Sequence, residues 1–149
     1  MDEKVWDVVI LGGGLAGTTL AIQLKQARPS TEIVVIEKLL YPVPETAFKV
    51  GESTIEGGAY YLRKVVGMDA HIREHELVKM GLRFFMSQGD NSQIERRVEF
   101  GPHSLAKITG DLTSCQLDRG RFENALQARA VSLGVDYWDG SKVKAITLG

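Results

Sequence analysis

The start of the chain alternates between apolar runs and a stretch of helical period. Val8–Leu11 and Glu32–Ile36 are short and almost entirely apolar, which is typical of strands buried in a parallel sheet. In Leu15–Ala27, which lies between them, apolar residues recur at the spacing of a helix. Pro29 ends this predicted helix. The pattern therefore predicts a β–α–β unit.

The middle of the chain does not continue this alternation of strand and helix. Lys38–Lys49 contains two prolines, which favour extended backbone in the residues before them. Beyond this loop, the pattern predicts two short helices. The first is Ile55–Val66, and the second is Asp69–Lys79, with Asp69 as its cap and Gly81 as its stop.

Residues 82–109 predict an antiparallel β insertion. The strand candidates are Arg83–Ser87, Ile94–Phe100 and Leu105–Ile108, and turn-forming residues separate the first two. We interpret this segment as the beginning of a substrate-facing layer, because it does not follow the alternation of strand and helix.

The last part of the chain returns to that alternation. Asp118 is predicted to cap a helix over Arg119–Leu133, and the segments Val135–Trp138 and Lys142–Thr147 are predicted strands. The fold class is therefore α/β. A complete doubly wound sheet needs further strands and helices, so we expect the 149 residues to be the N-terminal part of a longer enzyme.

Three glycines follow the first predicted strand and open the first predicted helix. Gly12, Gly14 and Gly17 give G-x-G-x-x-G, the spacing that binds a dinucleotide when it stands between strand and helix. The first glycine permits a tight turn, the second admits the pyrophosphate, and the third lets helix and strand pack closely. The helix N-terminus then favours the negative phosphates.

A carboxylate completes this fingerprint. Glu37 ends the second strand, 20 residues after Gly17, where a dinucleotide-binding unit places the acid that binds ribose. An ordinary β–α–β unit with a glycine-rich turn would leave the position of this acid unexplained. The residues therefore predict a dinucleotide-binding Rossmann-type unit.

Composition and charge exclude several other classes of function. The formal net charge is −1, and Lys and Arg are spread along the chain, so no basic surface for nucleic acid or an anionic membrane is indicated. No apolar run is long enough to span a bilayer. Cys115 is the only cysteine, which excludes an intramolecular disulfide and suits a reducing cytoplasm.

Four segments in order along the chain carry a family resemblance. They read GGGLAG, KVGEST, LVKMGLRFF and QLDRGRFENAL. With these segments the chain resembles the flavin-dependent halogenases, also called tryptophan halogenases, within the FAD-dependent monooxygenase-like flavoproteins. The first and last segments are shared with many flavoprotein monooxygenases, whereas the middle two are more specific to halogenases and their close relatives.

The resemblance implies FAD as the cofactor and assigns roles to particular residues. The glycines of the motif would hold the pyrophosphate and Glu37 the adenosine ribose, while Lys79 would be catalytic. The full set of expected cofactor contacts is Gly12, Gly14, Leu15, Ala16, Gly17, Glu37, Lys38, Gly51, Glu52, Ser53, Gln116 and Arg119. No metal is expected.

The resemblance also implies an activity and its partners. Members of the family use reduced FAD, O2 and halide to halogenate an electron-rich aromatic substrate, and a separate flavin reductase supplies the reduced FAD. The lysine would position the oxidised halogen, or carry it, for attack on the aromatic ring. We expect the 149-residue chain alone to be inactive and to hold FAD poorly, since much of the flavin pocket would come from other segments.

Other interpretations of the same residues remain open. An FAD-dependent aromatic monooxygenase or a related flavin reductase would share the nucleotide motif, and a non-catalytic nucleotide-binding module would belong to another class. Lys79 would also suit the C-terminal end of a helix for electrostatic reasons alone. His71–His75 spells H-x-x-E-H, but two histidines on a solvated helix are the simpler interpretation.

Overall fold

The computed structural model describes residues 4–47, 49–79, 83–87, 89, 92–101 and 113–147. The chain divides into two compact units, the first formed by Met1–Val50 with Asp118–Gly149 and the second by Gly51–Leu117. In chain order, the elements are β1 (Val8–Leu11), α1 (Leu15–Ala27), β2 (Ile33–Ile36), α2 (Glu56–Tyr60), α3 (Asp69–His75), β3 (Leu77–Lys79), β4 (Phe84–Met86), β5 (Val98–Phe100), β6 (Ser114–Gln116), α4 (Arg119–Ser132) and β7 (Asp136–Trp138).

A parallel sheet in the order β1–β2–β7 forms the centre of the first unit. The middle strand, β2, buries Ile33, Val34 and Val35 almost completely, as its unbroken apolar run predicts. Helices α1 and α4 contact each other and bury Ile22 and Phe122. The predicted α/β class is therefore confirmed, and β1 and α1 have the predicted bounds.

Two details of the first unit differ from the predictions. Lys142–Thr147 is not a strand, because this segment pairs with none of the described strands. Residues 141–147 are irregular, and Ile146 is 65% exposed. Asp118 stands at the N-cap of α4, yet its side chain makes no capping hydrogen bond; its carboxylate lies 3.9 Å from the Arg121 guanidinium.

In its described residues, the second unit contains two antiparallel strand pairs and two short helices. Strand β3 pairs with β6, so that Lys79 lies opposite Ser114, and β4 pairs with β5. The apolar interior of this unit includes Ala59, Leu62, Val66, Ile72, Cys115 and Leu117. The predicted strand at Arg83–Ser87 and its antiparallel partner are thus confirmed, although only the end of Ile94–Phe100 is extended. Ile94–Arg96 is a short 3₁₀ turn.

Both helix predictions in this unit need correction. The predicted helix Ile55–Val66 changes after Tyr60 into a π-helical turn over Tyr61–Val65. The predicted helix Asp69–Lys79 ends at His75, because Glu76 is extended and Leu77–Lys79 gains a strand partner in β6. Asp69 is the first helical residue rather than the cap, and its carboxylate binds Arg63 and Arg73.

Two further predictions lie outside the described residues. These are the strand Leu105–Ile108 and the helix stop at Gly81.

Close packing at Gly17 leads to a prediction about stability. A β-carbon there would lie 2.0 Å from the Gly12 carbonyl oxygen and 3.1 Å from Ile10 Cγ2. Alanine stabilises a helix by about 1 kcal/mol relative to glycine, but the backbone clash costs more than this gain. We therefore expect Gly17→Ala to lower the free energy of unfolding by about 2 kcal/mol. Urea denaturation measures this. Gly57→Ala is the control, because a β-carbon at Gly57 meets no atom within 4 Å; equal stability of the two variants would contradict the prediction.

Candidate functional site

The loop of residues 12–17, here called the glycine loop, joins β1 to α1. Gly12 adopts φ +106°, a conformation that disfavours any other residue, and donates its amide to the Ile36 carbonyl over 2.9 Å. Gly14 precedes the first residue of α1, and a β-carbon there would meet no atom within 4 Å. Gly12 and Gly17 are therefore needed for folding, whereas Gly14 leaves open space beside the helix N-terminus.

Glu37 follows β2 at the edge of the sheet where the glycine loop follows the parallel strand β1. Its side chain is buried, and the residue is only 7% exposed. Its carboxylate accepts hydrogen bonds from the Gly13 amide over 2.6 Å and from the Leu39 amide over 2.8 Å. A carboxylate has about four lone-pair sites, so acceptor capacity remains for a ligand.

A pocket of about 290 Å³ opens beside Glu37 within the first unit. This volume is close to the lower end of the range for small-molecule sites. Its lining includes Gly12, Ile36, Glu37, Lys38, Ser141 and Lys142. The carboxylate predicted to bind ribose therefore borders a cavity together with the first glycine of the motif.

Three hydroxyl groups surround the carbonyl oxygen of Gly13. Thr18 Oγ1 donates to it over 2.7 Å, Tyr137 Oη over 2.8 Å and Tyr41 Oη over 3.0 Å. Burial is the main reason that the pKa values of both tyrosines are raised, so these hydroxyls stay protonated at neutral pH. Sequence reasoning missed this cluster, because Gly13 is a variable position of the motif and the tyrosines are distant in sequence.

The remaining predicted residues of the first unit lie within the glycine loop, beside the pocket or at the start of α4. Leu15 and Ala16 form the first turn of α1, and Lys38 borders the pocket. Arg119 begins α4. Its guanidinium donates to the buried Glu123 carboxylate over 2.5 Å and to the Val50 carbonyl over 3.1 Å. Lys49 binds the same carboxylate, so Glu123 has two cationic partners.

The second unit brings Lys79 and Ser53 together. The Lys79 ammonium donates to Ser53 Oγ and, over 3.0 Å, to the Thr54 carbonyl. Ser53 also forms an antiparallel bridge with Gln116, the last residue of β6. Because Lys79 lies on a strand, an electrostatic preference for a helix end no longer explains it.

The two other predicted residues of this segment are close in sequence to Ser53. Gly51 adopts φ +89°, and the Glu52 carbonyl accepts the Leu117 amide over 2.7 Å. The structure thus groups the glycine loop with Glu37 and Lys38 in the first unit, and Ser53 with Lys79 and Gln116 in the second. Arg119 instead contacts Glu123 and the Val50 carbonyl.

A comparison with protein-family models decides the family. The tryptophan halogenase model matches residues 7–110, which include the glycine loop, Glu37, Ser53 and Lys79. The chain belongs to the tryptophan halogenase family. The predicted resemblance is therefore confirmed, and the match covers more than half of the chain.

Curated relatives agree with this family. The chain is 29% identical to the flavin-dependent halogenase chlA of Dictyostelium discoideum, over 94% of this chain and 24% of that protein. It is 27% identical to a 1H-pyrrole-2-carbonyl-[peptidyl-carrier protein] chlorinase of Pseudomonas fluorescens, over 96% of this chain and 33% of that protein. The chain thus spans about a quarter of the length of the first halogenase and about a third of the second.

Solved structures support the same fold. A flavoprotein/dehydrogenase from Cytophaga hutchinsonii matches with a TM-score of 0.72 and 25% identity, over 97% of this chain and 32% of that one. FAD, the predicted cofactor, is the cofactor of this flavin-dependent family. The residues present fit it, since open space at Gly14 and a carboxylate beside a pocket suit a pyrophosphate and a ribose.

The described part of this halogenase-family chain offers no grouped metal ligands and no membrane-spanning helix. Within the described residues, no three or more His, Cys, Asp or Glu side chains are grouped to hold a metal ion. In the H-x-x-E-H segment, His71 instead lies 3.2 Å from the buried Glu76 carboxylate. None of the described helices has both the length and the apolar character needed to cross a membrane.

Proposed function

We propose that this chain is the FAD-binding portion of a flavin-dependent halogenase, an FAD-dependent oxidoreductase that halogenates an electron-rich aromatic substrate. The observation that carries the proposal is the match of the halogenase model across both the glycine loop and Lys79. The fold that would serve this role is a Rossmann-type unit, because a glycine-rich turn joins parallel β1 to α1 and an acid follows β2.

In this proposal the first unit holds the adenosine diphosphate half of FAD. Gly12, Gly14 and Gly17, with Leu15 and Ala16, form the pyrophosphate site at the start of α1. Glu37 accepts hydrogen bonds from the ribose hydroxyls, and Lys38 borders the same pocket.

The resemblance supports roles for five further residues. Arg119 and Gln116 are proposed to lie near the flavin nucleotide. Gly51, Glu52 and Ser53 are proposed to run beside the isoalloxazine ring.

Bound reduced FAD supplies the electrons with which O2 is activated to oxidise halide. The role of this chain in the reaction is to bind FAD and to present Lys79 to the oxidised halogen. The Lys79 ammonium can donate several hydrogen bonds, and its contacts with Ser53 and the Thr54 carbonyl restrict the side chain. A fixed donor of this kind can position an oxidant and a substrate for reaction.

The proposal also names partners and a location. The substrates are a halide and a small aromatic compound, and a separate flavin reductase supplies reduced FAD. Residues 82–109 are proposed as the substrate-side β insertion. We propose a cytoplasmic location, because Cys115 is a buried free thiol and the chain has no second cysteine.

Product analysis of the full-length protein, meaning the complete natural chain that contains this sequence, tests the function. Purified protein receives chemically reduced FAD, O2, chloride or bromide, and a panel of phenols, pyrroles and indoles. We expect aromatic products whose mass increases by one halogen in place of hydrogen. Hydroxylated products without halogen would instead support the alternative left open by the sequence, an FAD-dependent aromatic monooxygenase.

Glu37 leads to a prediction about ribose selection. A carboxylate accepts hydrogen bonds from ribose hydroxyls and repels a phosphate at the same place, so we expect 5′-AMP to compete with FAD better than adenosine 2′,5′-bisphosphate does. Glu37→Gln removes the charge, so it should weaken FAD binding about tenfold and reduce the difference between the two competitors. Glu32→Gln, which changes an exposed carboxylate before the same strand, is the control.

Fluorescence titration of FAD measures both effects in the full-length protein. Equal competition by the two nucleotides in the unaltered protein would contradict the role of Glu37.

A further inference from the structure

The Gly13 carbonyl oxygen has more hydroxyl donors within reach than it has lone pairs. A carbonyl oxygen has two lone pairs, and one or two donors are enough to satisfy it when it is buried. Here Thr18, Tyr41 and Tyr137 all lie within 3.0 Å, and two of these donors come from segments remote in sequence. Such a concentration of donors on one atom fixes the direction of its peptide group.

Fixing this peptide matters because the glycine loop contains three successive glycines. Glycine restricts its backbone dihedrals less than other residues do, so Gly12, Gly13 and Gly14 can rotate their peptide planes at low cost. The Gly13 amide is held by Glu37 and the Gly13 carbonyl by the three hydroxyls. Both peptide groups that flank Gly13 are therefore held by side chains.

The direction of the carbonyl sets the direction of the next amide. In a trans peptide the C=O and N–H groups point in opposite directions, so a Gly13 carbonyl that faces the hydroxyls sends the Gly14 N–H away from them. Gly14 borders open space, since a β-carbon there would meet no atom within 4 Å. A rotated peptide would instead place a carbonyl oxygen, which repels phosphate, on that side.

We propose that Tyr41, Tyr137 and Thr18 are positioning residues for the FAD pyrophosphate, which act by holding the Gly13–Gly14 peptide with its N–H toward the phosphates. This inference rests on the proposed function, namely that FAD binds at the glycine loop. It also explains why Gly13 carries no side chain, because a β-carbon would lie 2.1 Å from Tyr137 Oη.

Phenylalanine substitutions in the full-length protein test this inference. Tyr137→Phe and Tyr41→Phe each remove one hydroxyl and keep the ring, and the double variant leaves only Thr18 on the carbonyl. Each single variant should weaken FAD binding about 3- to 10-fold, and the double variant about 10- to 100-fold. Tyr60→Phe is the matched control, because Tyr60 is an exposed tyrosine of α2 in the second unit.

Phosphorus NMR of bound FAD separates positioning from a general loss of stability. In the double variant we expect the pyrophosphate resonances to shift, whereas those in Tyr60→Phe should match the unaltered protein. An unchanged dissociation constant with unchanged resonances in the double variant would overturn this inference alone, even if thermal stability fell. Failure of the unaltered full-length protein to bind FAD would overturn both this inference and the proposed function.

Discussion

Replacing Gly14 with valine should abolish FAD binding and leave the fold of the protein intact. The structure places no atom within 4 Å of a β-carbon at this position, and Gly14 has φ −71°, which any residue can adopt. A valine side chain would therefore occupy the space beside the helix N-terminus where the pyrophosphate is proposed to bind. Losing one or two charge-assisted hydrogen bonds corresponds to an affinity loss of about 100-fold or more.

The neighbouring glycines make this experiment discriminating. Gly17→Ala should reduce stability, because its β-carbon meets the Gly12 carbonyl, whereas Gly14→Val should melt at the same temperature as the unaltered apoprotein. FAD affinity is measured by quenching of flavin fluorescence in the full-length protein. A Gly14→Val protein that binds FAD normally would place the cofactor somewhere other than the glycine loop.

Loss of Lys79 should abolish halogenation while flavin reoxidation by O2 continues. Binding of FAD is assigned to other residues, so the oxidation of reduced flavin needs no amine from Lys79. The lysine is proposed to act when the oxidised halogen meets the aromatic ring, where a misplaced group can cost about 100-fold in rate. We expect Lys79→Ala to reduce the yield of halogenated product by about that factor or more.

Two further variants show whether the effect belongs to this amine. Lys64→Ala removes an exposed lysine of the same unit and should leave the yield unchanged. Ser53→Ala should reduce it only modestly, because Lys79 keeps its hydrogen bond to the Thr54 carbonyl. Halogenation that persists in Lys79→Ala would remove the lysine from the mechanism, and loss of flavin reoxidation as well would make its role structural.

Local pattern was enough to predict the start of the first unit but not the second unit. Val8–Leu11 and Leu15–Ala27 were predicted with their observed bounds, because an apolar run, a glycine turn and a helical period follow each other directly. Leu77–Lys79 was predicted as helix, since the strand that pairs with it, Ser114–Gln116, lies far along the chain. Propensity is a weak guide where such a distant partner decides the structure.

The residues of the candidate site also differ in how far the sequence predicts them. The glycines and Glu37 belong to one short contiguous fingerprint, so their spacing alone predicted a shared location, and the structure places Gly12 and Glu37 around one pocket. Tyr41 and Tyr137 carried no such signal. Tyr137 reaches Gly13 only because β7 pairs in parallel with β2, which sets Tyr137 opposite Val35. That register depends on the tertiary structure and cannot be inferred from periodicity.

A crystal structure of the full-length protein with bound FAD tests the central claim most directly. The account predicts the pyrophosphate at the glycine loop, within hydrogen-bonding distance of the Gly14 amide, and the adenosine ribose hydroxyls against the Glu37 carboxylate. FAD bound elsewhere, or a Glu37 carboxylate out of reach of the ribose, would contradict it.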